Sequence, residues 1–265
     1  MNKAPAHITL EVCIDSVGSA LAAERGGAHR VELCDNLIEG GTTPSMGMIR
    51  AVARHTRLDV MVMIRPRGGD FLYDDLEFET MAEDIRAVRA LGIRGIVLGL
   101  LTADGHIDTG RTAQLVELAR PMEVTFHRAF DMTADPLRAL DDLMAIGVDR
   151  ILTSGQEATA YEGRELIATL IQRVGDHLSI MPGGGVNERN IGPLIAATGL
   201  RECHVSARHT VPSSMTFVNP RVYMGVPGLP EYERKVTAEK RVRDLLIAAG
   251  NPIALSHPEH KKNAS

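Results

Sequence analysis

Lysine is almost missing from this chain of 265 residues. Its five lysines stand at positions 3, 235, 240, 261 and 262, so every fixed side-chain cation between residues 4 and 234 is an arginine. With no amine nucleophile in the body of the fold, Schiff-base aldolase chemistry and a PLP cofactor are excluded. The arginines that remain keep their charge at any working pH and bind anions in a fixed fork. Cysteine is scarce as well. Cys13, Cys34 and Cys203 are odd in number and scattered, which argues against a disulfide framework. No apolar run reaches membrane-spanning length, so no membrane partner is expected. Residues 1 to 7 lack the apolar segment of a secretory signal, and the cytoplasm is the expected location. The net charge of −5 argues against a non-specific nucleic-acid binder. No Gly-x-Gly-x-x-Gly follows the first apolar segment, so no nucleotide cofactor is expected.

What is present is a regular alternation. A hydrophobic fraction of 44% with 24% charged residues suits a globular protein. Strands are expected at 8–14, 29–34, 58–65, 95–101, 122–125, 150–155, 178–182 and 202–206. Helices are expected between them, and one more over 232–249. Phe78, Met81, Ile85, Val88 and Leu91 recur at helical spacing, while 58–65 is nearly continuous in apolar residues, as in a strand buried on both faces. Asp15-Ser16 and Asp135-Pro136 read as helix starts. Gly27, Gly92, Gly147 and Gly199 share one grammar, a helix-ending glycine, a short link and then a strand. They precede the second, fourth, sixth and eighth strands. Eight such units over this length give an α/β protein, a single-domain (β/α)8 TIM-type barrel over about 8–249. Residues 209–231 read as a long loop, and 250–265 as a frayed tail.

In such a barrel the C-terminal strand ends converge on one mouth. Those ends are polar here. Alternation along the strands turns Glu11, Glu32, His127 and His204 toward a common rim, with Cys13 and Cys34 on the same faces as the first two. Arg65, Arg67, Arg128, Asp131, Ser154 and Ser206 stand at further strand tips. Gly183, Gly184 and Gly185 offer backbone N–H groups that suit an anion, or form a turn that needs positive φ. The four acidic and imidazole groups taken together point to a functional mouth, as acid–base groups or as ligands of a hard divalent ion, more than to a purely structural network. Cys13 and Cys34 are either two small buried hydrophobes or a pair of soft Cu(I) ligands.

Longer motifs narrow this. Glu11-Val-Cys-Ile-Asp15, Arg30-Val-Glu-Leu-Cys-Asp35, Glu39-Gly-Gly-Thr-Thr-Pro-Ser45 and Met63-Ile-Arg-Pro-Arg-Gly-Gly-Asp-Phe71 resemble the CutC copper-homeostasis family. So do Thr125-Phe-His-Arg-Ala-Phe-Asp131, Arg150-Ile-Leu-Thr-Ser-Gly155 and Met181-Pro-Gly-Gly-Gly185. The resemblance runs in register over about 8–208. It implies a cytoplasmic, homo-oligomeric TIM-type barrel with a part in copper handling, and places the Cu(I) ligands at Cys13 and Cys34. The alternative is a TIM-barrel enzyme acting at the mouth on a small polyol, sugar or phosphorylated metabolite. There Glu11, Glu32, His127 and Asp131 would be catalytic. Arg65, Arg67, Arg128, Ser154, Gly183, Gly184, Gly185, His204 and Ser206 would bind the substrate.

Overall fold

The computed structural model describes residues 7–222, 224–226 and 228–251. Eight parallel strands alternate with helices: β1 Thr9–Ile14, α1 Val17–Gly26, β2 Arg30–Leu33, α2 Met46–His55, β3 Asp59–Met63, α3 Asp75–Arg89, β4 Gly95–Leu98 and α4 Thr109–Ala119, followed by β5 Glu123–Phe126, α5 Pro136–Ile146, β6 Arg150–Thr153, α6 Arg164–Val174, β7 Ser179–Pro182, α7 Ile191–Thr198 and β8 Glu202–Val205. The strands lie in the order β7-β6-β5-β4-β3-β2-β1-β8, and β8 packs back against β7, so the sheet curls into a nearly closed TIM barrel. A regular βα alternation can bury both faces of a parallel sheet only by wrapping helices outside it.

Local chemistry sets the element ends. Ser16 caps α1 through the Ser19 N–H. Asp74 and Glu77 form a reciprocal capping box at α3. Asp135 caps α5, with Pro136 in its first turn. The main core lies between strands and helices and holds Leu10, Val12, Val31, Leu33, Ile96, Val124, Phe126, Ile151 and Val205 from the outward strand faces. Each fully buried Leu, Ile or Phe side chain there contributes roughly 1.5–3 kcal/mol. A second, smaller cluster of Cys34, Met61, Met63 and Val97, with Cys13 against it, lies inside the barrel.

After β8 the chain departs from the sequence-based expectation. The stretch read as a loop begins with β9 Arg208–Pro212. The segment read as the start of the last helix contains β10 Glu233–Thr237. The two pair antiparallel, and the last helix, α8, spans only Glu239–Ala248. Asn251, assigned by sequence to a frayed tail, is buried and pinned. Its Oδ1 accepts from the Ile8 N–H at 2.8 Å and its Nδ2 donates to the Ile8 carbonyl at 2.7 Å. The rest of that tail, 252–265, lies outside the described residues. No helix among the described residues is long and apolar enough to cross a membrane.

Candidate functional site

Parity along each strand decides what faces the barrel axis. On β1, Leu10 and Val12 go to the outer core, so Glu11 and Cys13 turn inward. The register pairs Glu11 with Arg30 on one side and with His204 on the other, and Cys13 with Glu32. Charged side chains from separate strands therefore meet inside the ring. The lower layer is a network of ion pairs. Arg30 donates from Nε to Glu11 at 2.5 Å and from its terminal nitrogen to Glu202 at 2.5 Å. Arg150 donates to Glu202 at 2.6 Å and to the Thr125 hydroxyl at 3.1 Å. Glu11 is fully buried. Burial opposes its charge, but Arg30 and His204 hold its carboxyl down at about 2. Such a network is costly to desolvate and costlier to break, so it fixes the register of four strands.

Above it stands a different group. One donor atom each from Cys13, Glu32 and His204 lies within 4.8 Å of the others. His204 presents Nδ1 to Glu11 at 2.8 Å and Nε2 toward Glu32 at 3.8 Å. The Cys34 thiol lies 3.4 Å from Glu32 Oε2 and also against Cys13, and its single proton serves one or the other. These contacts separate the two thiols in acidity. The hydrogen bond from Cys34, together with His204, brings Cys13 down to about 5 against the penalty of burial. Cys34, as the donor partner and buried, is pushed well above the ordinary thiol range. Burial lifts Glu32 to about 8, with the nearby Cys13 and Glu11 charges adding to it. His204 pays for burial, yet Glu32, Cys13 and Glu11 raise it well above its ordinary value and it carries a proton. These contacts shift Cys13 toward its thiolate and His204 toward its imidazolium, and Glu32 and Cys34 toward their protonated forms.

The other predicted residues stand outside this cluster. Asp131, its side chain 6% exposed, accepts from the Thr153 hydroxyl at 2.5 Å, from the Ser154 and Gln156 backbone N–H groups and from Arg128, and so ties the β5 tip to the β6 loop. Arg128 also donates to Ser154 at 2.7 Å and lies beside Gly184. Gly183 has no room for a side chain, because a Cβ there would stand 2.6 Å from Leu152 and 3.0 Å from the His204 Cβ. Gly185 is exposed, as is Ser206 at the end of β8. Arg67 spends its donors on Glu77, Asp70 and loop carbonyls. Arg65 and His127 are buried together against Phe71. The structure thus joins Glu11, Glu32, Cys13, Cys34 and His204 into one cluster and leaves His127, Arg65, Asp131 and Arg128 apart from it.

Arg30, Arg150 and Glu202 did not figure among the sequence candidates. The same parity that turns Glu32 and Cys34 inward also turns Arg30 inward, and His204 likewise implies Glu202. That signal was available.

Residues 8–209 match the model of the CutC family. A CutC family protein of Chromobacterium violaceum is 52% identical over 89% of this chain and 96% of its own length. The human copper homeostasis protein cutC homolog is 50% identical over 91% of this chain and 89% of that protein. Among solved structures, a CutC protein of Streptococcus agalactiae superposes with a TM-score of 0.71 at 37% identity, covering 74% of this chain and 97% of that one. A phosphoribosylanthranilate isomerase from Pyrococcus furiosus, at 14% identity and a TM-score of 0.55, shares the barrel fold alone.

Proposed function

The chain belongs to the CutC family, and from that premise we propose that it serves copper homeostasis by binding Cu(I) at Cys13 and Cys34, with His204 beside them. One observation carries the reading: donor atoms of Cys13, Glu32 and His204 lie within 4.8 Å of one another in a largely buried cluster, and the Cys34 thiol bonds to Glu32 at its edge. Thiolate and imidazole are donors that suit Cu(I), and the thioethers of Met61 and Met63 pack against the same cysteines. Glu32, a hard donor that burial holds toward its protonated form, stands next to the metal position. Copper then displaces protons from Cys34 and His204. A cavity of about 560 Å³ opens beside the ends of β1 and β2, bordered by Asp15, Asp35, Leu37 and the hairpin residues Arg208 and Val236. In this reading the protein works in the cytoplasm, where reducing conditions keep both thiols free and copper monovalent.

The test is a Cu(I) titration against a competing chelator. The double variant Cys13→Ser, Cys34→Ser is expected to lose affinity by more than about a hundredfold, two soft ligands having gone. An affinity equal to that of the unmodified chain would overturn the proposal.

A further inference from the structure

The copper reading leaves two of the longest motifs, at the tips of β3 and β5, without a task. The distribution of buried charge shows what they lack. Three arginines are buried. Arg30 and Arg150 face carboxylates. Arg65 is only 4% exposed, and no carboxylate among the described residues lies within ion-pair distance of it. Its terminal nitrogens donate to the carbonyls of Glu39, Gly41 and Gly69 at 2.7, 2.8 and 2.7 Å. Its Nε–H has no partner. A buried guanidinium held only by carbonyl dipoles keeps a net charge that the interior does not repay.

Beside it stands His127, also 4% exposed. Its Nδ1 accepts the Ala129 N–H at 3.1 Å, which leaves the ring proton on Nε2. That Nε2–H is buried and unpartnered as well. Burial and the Arg65 charge hold the ring's pKa down at about 3, so it is a neutral donor at any physiological pH. The Phe71 ring packs against both, with the Arg65 Cζ 5.1 Å and the His127 ring 5.0 Å from its centre. The buried hydroxyl of Tyr73 lies next to Arg65 as well. A buried cation without a carboxylate and a fixed imidazole donor thus meet against one aromatic ring. A water molecule in that space would satisfy the hydrogen bonds but not the charge.

We propose that this corner of the barrel mouth is an oxyanion site, in which Arg65 Nε–H and His127 Nε2–H donate to the carboxylate or phosphate group of a small metabolite beneath Phe71. The site is independent of the copper reading, whose residues lie on β1, β2 and β8. The geometry also sets His127's role. With its proton fixed on Nε2 it binds an oxygen as a donor.

The experiment is calorimetric titration of the full chain with inorganic phosphate and, separately, with acetate at constant ionic strength. It is paired with nitrogen-15 spectra of the histidine side chains. One of the two anions is expected to bind at one site per chain and to shift the His127 Nε2 resonance; which one does so distinguishes a phosphate from a carboxylate ligand. His127→Asn keeps an oxygen in place to receive the Ala129 N–H but removes the second donor. It should weaken binding at least about tenfold, as loss of a hydrogen bond to a charged group does. Arg65→Lys, which keeps the charge but not Nε, should weaken it as well. The inference is overturned if neither anion binds, if the bound anion leaves the His127 resonance unmoved, or if His127→Asn binds like the unmodified chain. Cu(I) affinity of His127→Asn is expected to be unchanged, so that failure here leaves the copper proposal standing.

Discussion

Replacing Glu32 by glutamine tests the electrostatics of the cluster directly, because it makes permanent the neutral state that burial imposes on the carboxyl. Glu32 is 3% exposed, accepts the Cys34 thiol at 3.4 Å and has one oxygen without a partner. Burial lifts its pKa from the ordinary 4.5 to about 8. A carboxyl raised in the folded state contributes stability that is fully present below pH 4.5 and is lost as pH climbs through about 8. At pH 7 the unfolded chain is ionised at this position while the folded chain still carries the proton. Folding must then take that proton up against a gap of 7 minus 4.5. At about 1.4 kcal/mol per tenfold this is about 3 kcal/mol, growing to about 5 kcal/mol above pH 8. Glutamine needs no proton. Glu32→Gln should therefore match the unmodified chain in urea unfolding near pH 4.5 and exceed it by about 3 kcal/mol at pH 7. The Glu11 carboxyl, held at about 2, works with the opposite sign, adding stability between pH 2 and 4.5 in both proteins, and so cancels from the difference. A stability difference that does not change between pH 4.5 and 7 would refute the reasoning.

Three further substitutions probe the frame. Arg30→Met takes the guanidinium away from the buried Glu11 carboxylate and from Glu202, which keeps Arg150, and should cost about 3–5 kcal/mol in urea unfolding. Gly99→Ala would place a methyl 2.4 Å from the His127 ring and 2.9 Å from the Ala129 side chain; a cost of about 1–3 kcal/mol in thermal unfolding and a shifted His127 resonance are expected. Asn251→Ala removes both hydrogen bonds to Ile8 from a buried position and should destabilise by about 1–3 kcal/mol, measured by the urea midpoint at constant m-value.

The barrel was legible because its signals are local. Ser16, Asp135 and the recurrent glycines before β2, β6 and β8 mark element ends by their own backbone chemistry, and continuous apolar runs mark strands buried on both faces. The β9–β10 hairpin was not legible. Its strands are Arg-His-Thr-Val-Pro and Glu-Arg-Lys-Val-Thr, largely exposed and charged, so neither an apolar run nor an alternation announces them. The strand next to α8 merged with the polar first turn of that helix. Asn251 was misread for a different reason: its partner is 243 positions away, and no local pattern reports such a contact.

At the site, parity was enough to bring Glu11, Cys13, Glu32 and His204 to one side of the sheet. It could not tell the two carboxyls apart. That distinction comes from the register, which sets Glu11 against Arg30 and Glu32 against Cys13, so that one glutamate is held ionised and the other protonated. Likewise the tautomer of His127 depends on the turn after β5 delivering the Ala129 N–H to Nδ1.

X-ray absorption at the copper edge tests the central claim most directly. The full chain loaded with one equivalent of Cu(I) should show sulfur together with an imidazole nitrogen among the nearest scatterers, and His204→Ala should lose the nitrogen while keeping the sulfur. A spectrum of oxygen and nitrogen alone, or one with sulfur that persists unchanged when Cys13 and Cys34 are both replaced by serine, would contradict it.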